Sequence, residues 1–192
     1  MTSRRAKTLQ LNPQQVAVLR SGVRQEIVDA LQASGARSIA ELSTILGRAP
    51  DSLYYHIRQL LQIKILQEVE VRRSGRRDEK VFDVAAETIQ LQSSKISPDS
   101  GVAEMVESAL KLAMRDLHAA IDSGSAIARG ARQNIAGGRH KAWLSKTELE
   151  QVQDHLSAIQ LIYNQAKPGP KRKLSTFALV LCPATATERT RN

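Results

Sequence analysis

Three short helix-forming stretches joined by tight turns are followed by two β-prone runs that bracket an arginine-rich turn. Together they predict a mainly α fold with a small β wing. Longer helical patterns return after residue 100. That order of elements is a winged helix-turn-helix domain followed by a helical (α+β) region. The chain has 192 residues, 42% of them hydrophobic, enough for one large domain or two small ones. Two domains of about 90 residues would have thin cores, which often lean on a second subunit.

Residues 1–10 read as a basic disordered arm. "NPQQVAVL" starts a helix, with Asn12 as N-cap and Pro13 at the first helical position. Gly22 weakens helix continuity before "VRQEIVDALQAS", where Val23, Ile27, Ala30 and Leu31 recur at helical spacing and Gly35 supplies the stop. In "SIAELSTILG", Ser38 and Glu41 have the spacing of a capping box, and Gly47 ends the helix. Only Arg48 and Ala49 separate Gly47 from Pro50, so a three-residue turn joins two short helices. After the third helix the period changes to that of strands. Val69 and Val71 alternate with Glu68 and Glu70, and in "EKVFDV" Val81 is opposite in phase to Phe82. "RRSGRRD" between them is a polar turn with Gly75 near its centre.

The domain reading places a winged helix-turn-helix DNA-binding domain at 11–87 and a polar linker at 88–100. A C-terminal helical dimerisation and effector region follows at 101–183, then a disordered tail at 184–192. In the C-terminal region, Val102, Met105, Val106, Ala109, Leu110, Ala113, Leu117 and Ile121 form a long apolar stripe. The stripe exceeds what one small domain can cover, so it reads as the contact of a homodimer. "AGGRHK" is a loop. Ser145 and Glu148 form a second capping box, with Leu144 and Leu149 at the positions of a hydrophobic staple. "STFALVLCP" alternates in a way that predicts a final strand. Nothing in this region's sequence marks an effector pocket, although a small-molecule effector is compatible with it.

The stretch "APDSLYYHIRQLLQIKIL" at 49–66 carries the functional signal. At about 100° per residue, Leu53, Ile57, Leu60 and Leu61 share one face. Asp51, Tyr55, Arg58 and Gln59 lie opposite, Ser52 and Tyr54 at the margins, and His56 beside the core face. The polar side suits the major groove. Arg58 matches guanine or phosphate, Gln59 an adenine edge, and Ser52 and the tyrosine hydroxyls can reach phosphates or bases. The wing arginines Arg72, Arg73, Arg76 and Arg77 suit the phosphate backbone or minor groove. A net charge of +9 agrees with an anionic partner, although it is spread over both halves of the chain.

Residues 21–84 resemble the ArsR-like branch of bacterial winged-helix transcriptional regulators. "SGVRQEIVDAL" is similar to the first-helix pattern of that family, and "APDSLYYHIRQL" is similar to its S-P-S-T-V-S-Y-H-L-R-K-L recognition helix. The resemblance covers about a third of the chain and is specific at Pro50, Tyr55, His56, Arg58 and Leu60. It implies that Tyr54, Tyr55, His56 and Arg58 lie at or near DNA. Two positions depart from the pattern. Ala49 stands in place of a capping serine, and Lys64 stands where a helix-ending glycine is common.

Many relatives of that family sense metals, but this sequence argues against a metal or other cofactor. It has no C-x-C pair, its one cysteine is the distant Cys182, and His118, His140 and His155 lack ligand-like spacing. No nucleophile elbow, phosphate-cradling glycine loop or H-E-x-x-H is present, so no enzyme is expected. No apolar run predicts a transmembrane helix and no signal peptide is expected, which points to a cytoplasmic, nucleoid-associated protein. The expectation is a sequence-specific, repressor-type dimeric transcriptional regulator that binds double-stranded DNA. The alternatives are a winged-helix protein–protein assembly module and a non-specific nucleic-acid-binding architectural protein.

Overall fold

The computed structural model describes residues 5–74, 77–92 and 96–184. Its described residues form six α-helices and two small sheets. The first strand is β1 (Ala6–Leu11), where the sequence predicts a disordered arm. It pairs in parallel with β5 (Ala86–Leu91), so the expected linker at 88–100 begins within a strand. Arg5 anchors this pair. Its guanidinium donates to both Asp83 oxygens, at 2.8 and 2.5 Å, and to the Leu31 carbonyl at 2.9 Å. A cation in a basic N-terminal stretch is thus used inward rather than left in solvent. Residues 1–4 of the expected arm lie outside the described residues.

Helix α1 (Pro13–Leu19) starts as predicted at Asn12, which also forms a reciprocal capping box with Gln15. Gln15 is buried, and its amide donates to the Ile63 carbonyl at 2.8 Å, tying α1 to the far end of the third predicted helix. Helix α2 (Gly22–Ser34) follows and ends at Gly35. The two-residue strand β2 (Arg37–Ser38) leads into α3 (Ile39–Leu46), where the expected box forms between Ser38 and Glu41. Gly47 closes α3 in the left-handed conformation, at φ 62°. Helix α4 spans Pro50–Gln62.

Lys64 then takes a φ of 58°, so a lysine does adopt the turn that a glycine would make without strain. The reversal lets Ile65 N–H donate back to the Leu60 carbonyl at 3.0 Å. It turns the chain into the wing, β3 (Leu66–Ser74) and β4 (Arg77–Val84), paired antiparallel, with β2 on the other side of β4. Val81 and Phe82 are both buried, but Phe82 and Val84 join the core cluster and Val81 does not, which fits the opposite phase that the sequence predicts. Strand β4 is the central strand of its sheet, and the register shift between Glu68 and Glu70 is an irregularity of β3, where these two residues meet the adjacent β4 residues Phe82 and Val81. Gly75 and Arg76, at the expected tip, lie outside the described residues.

The core sits among α2, α3, α4 and the base of the wing, where Ile27, Leu31, Leu42, Leu53, Leu60 and Ile65 are wholly buried. Helix α5 (Val102–Asp122) lies across α1 and α2. Val102 and Met105 pack against the core, and the buried Gln25 amide donates to the Met105 carbonyl at 2.9 Å. Beyond this seat, α5 has no buried residue, and neither does α6 (Lys146–Gln165), which begins at the predicted Ser145–Glu148 box. The strand expected in "STFALVLCP" does not form, and residues 173–184 are irregular. A β pattern needs a neighbouring strand to pair with, and this stretch meets none among the described residues. Residues 185–192 of the expected tail lie outside the described residues.

Candidate nucleic-acid interface

Helix α4 is held by one face and presents the other. Leu53, Ile57 and Leu60 are each at most 2% exposed, whereas Tyr54 and Tyr55 are 57% and 61% exposed. Asp51, Ser52 and Arg58 are also exposed, while His56, Gln59 and Leu61 are half-buried. An exposed tyrosine pair is costly to leave uncovered, because each ring is a large apolar body with a polar tip. Tyr55 packs edge-on against His56, with ring centroids 5.3 Å apart and planes 72° apart.

The start of α4 has no side-chain cap, since Ala49 occupies that position. The turn is held by other means. The Ser43 hydroxyl donates to the Arg48 carbonyl at 2.6 Å, and Arg48 N–H donates to the Ser43 carbonyl at 3.2 Å. Pro13-like preorganisation recurs at Pro50, whose fixed φ suits the first helical position. The Ser52 hydroxyl donates inward to the Ala49 carbonyl at 2.8 Å, which leaves its lone pairs facing outward. Asp51 in the first turn favours the helix dipole.

His56 is not a simple surface donor. Its Nδ1 is buried and has no hydrogen-bond partner among the described residues. Burial holds its pKa below the usual histidine value, and the positive charges of Arg24 and Arg48 lower it further. The ring is therefore neutral near pH 7, and Arg24 and Arg48 carry positive charge beside the helix.

The wing contributes unevenly. Arg72 is engaged with acids: its guanidinium lies 3.2 Å from Glu70 and 3.6 Å from Glu41 of the α3 capping box. It would have to exchange these carboxylates for phosphate. Arg73 is exposed on β3. Arg77 opens β4, its side chain lying outside the described residues with Arg76.

Sequence reasoning missed a buried ion-pair junction behind α4. Glu26 on α2 is 8% exposed, and its two oxygens take different guanidiniums, Arg48 at 2.7 Å and Arg115 of α5. Arg115 also reaches Asp116 at 3.2 Å. Nearby, Asp29 keeps an exposed side, yet the protein crowding its carboxyl, with Asp116 and Glu26 as like charges, pushes its pKa up to about 6. The only prior signal was an arginine beside an uncapped helix start.

Of the apolar stripe on α5, Val102 and Met105 belong to the domain core. Val106, Ala113 and Leu117 are half-buried, and Ala109 and Leu110 are exposed, together with Met114 and Ile121.

No curated protein matches the chain. Among solved structures, the chain is similar to Lactococcus lactis ZitR, in a C30AH42A mutant in apo form. The identity is 13%, the match covers 73% of this chain and 82% of that one, and the TM-score is 0.27. A second structure of the C30AH42A mutant of Lactococcus lactis ZitR shares 12% identity over 81% of this chain and 77% of that one, with a TM-score of 0.24. A family model described as a helix-turn-helix domain matches residues 19–69, from the last residue of α1 into β3. The chain thus carries a helix-turn-helix domain with α3 and α4 as its two helices and β3–β4 as its wing.

Proposed function

We propose that this protein is a sequence-specific, dimeric DNA-binding transcriptional regulator of the ArsR-like winged-helix kind. The observation that carries the reading is the split of α4: Leu53, Ile57 and Leu60 anchor it, while Tyr54, Tyr55 and Arg58 stand in solvent after a three-residue turn. In this reading α4 enters the major groove. Arg58 pairs with a base edge or phosphate, Tyr54, Tyr55 and Ser52 fix the register, and Gln59 and His56 lie at the margin. Arg73, with Arg76 and Arg77, follows the phosphate backbone beside it, and Arg72 joins once released from Glu70 and Glu41. The DNA-binding unit is residues 11–87, to which β1 and β5 add, and α5 with α6 forms the dimer contact.

Selection of bound duplexes from a random library, followed by footprinting, tests this. The expected product is a two-fold symmetric site whose affinity falls steeply with salt. Arg58→Ala should weaken it about 10- to 100-fold and relax its sequence preference, and Tyr55→Ala added to it should abolish the footprint. A protein with no salt-dependent affinity for any duplex would instead be an assembly module. Binding without sequence preference would make it architectural.

A further inference from the structure

We propose that Glu26 is a positioning residue that couples α5 to the start of the reading helix. The proposal rests on the reading of α4 as that helix, and it adds a route by which the C-terminal region can regulate it. Three observations place Glu26 at this junction. It is a buried carboxylate whose two oxygens each bind a guanidinium from a different element, Arg48 before α4 and Arg115 on α5. Arg48 sits between the left-handed Gly47 and the uncapped Ala49, in the segment that decides where α4 begins. With no capping side chain at Ala49, the ion pair from Arg48 and the bonds between Ser43 and Arg48 restrain that start. Arg48 Nε is buried without a hydrogen-bond partner among the described residues, and Glu26 accepts from Nη2 of the same guanidinium at 2.7 Å.

The charges around Glu26 make it sensitive to α5. Arg24 and Asp29 belong to its own helix, Asp116 to α5, and Arg48 to the turn. One buried carboxylate shared by two cations holds both in place. Withdrawing Arg115 removes half of its compensation and frees Glu26 to follow Arg48. The charge of Arg48 acts on His56, and His56 packs on Tyr55, so displacement of the turn is felt at the exposed face of α4. An event that shifts α5 at Arg115, such as pairing with a second copy, would act on this carboxylate.

Arg115 is half exposed, so Arg115→Met should fold. Hydrogen exchange on the full-length protein is the readout, with β4 amides as the internal control. In Arg115→Met the amides of Arg48, Ser52 and Leu53 should exchange about fivefold faster or more, with β4 unchanged. Linkage requires the reverse effect: Arg48→Met should loosen α5 around Arg115. Combining the two should add little to either alone. If each substitution alters exchange only in its own element, or if the two effects simply add, the coupling is overturned. The exchange arm needs no DNA. A wild type that selects no duplex would defeat the regulator reading while leaving the coupling to be judged on exchange. Intact DNA binding with no coupling would defeat the coupling alone.

Discussion

Lys64 shows how one residue can carry strain that its surroundings require. The left-handed conformation puts a Cβ close to the backbone, at a cost of about 1–2 kcal/mol for an ordinary residue. It is kept because the turn completes the bond from Ile65 N–H to the Leu60 carbonyl and lets the wholly buried Ile65 reach the core. Lys64→Gly removes the strain but adds freedom to the unfolded chain. The net expectation is a gain of about 0.5–1 kcal/mol, read from the midpoint of urea unfolding. An unchanged or lower midpoint would show that the lysine side chain offsets its own backbone cost.

Among the elements, β1 has the least obvious reason to exist. Its partner β5 lies beyond α1–α4 and the wing, and a parallel pair requires such a crossover. A two-stranded ribbon leaves both outer edges free and offers little stability, so the anchor matters. Arg5 and Asp83 are 16% and 14% exposed, and breaking such a pair leaves a carboxylate short of its charge partner. Asp83 keeps the Val84 N–H bond at 2.9 Å, which moderates the loss. Arg5→Ala should therefore cost about 2 kcal/mol of stability and raise the exchange of the Thr8 and Leu9 amides while α3 stays protected. Loss of protection throughout would instead make β1 part of the cooperative core.

At the scale of the whole molecule, the two halves are built differently. The winged-helix half has a closed core, to which the start of α5 adds Val102 and Met105. Helices α5 and α6 expose Leu110, Met114, Ile121, Leu149, Leu161 and Ile162, a concentration of apolar surface that a lone chain rarely leaves bare. If a second copy covers the α5 face, Leu110→Glu with Leu117→Glu should convert a dimer to a monomer in analytical ultracentrifugation at micromolar concentration. A wild type that sediments as a monomer would end the dimer reading. Among the described residues, no helix is long and apolar enough to cross a membrane.

The local code was readable where its physics is local. Ser38 with Glu41, Ser145 with Glu148, Gly47 and the two-faced pattern of α4 all act over three or four residues, and each has the structure its spacing predicts. The departures were legible in part: the missing cap at Ala49 follows from its side chain, whereas the sequence left open whether Lys64 adopts the turn or the helix ends differently. What only the tertiary structure decided is which charges meet. Arg5 finds Asp83 across 78 positions and Glu26 finds Arg115 across 89. No periodicity specifies such partners. They are chosen when burial strips water from a carboxylate and leaves a distant guanidinium as its replacement.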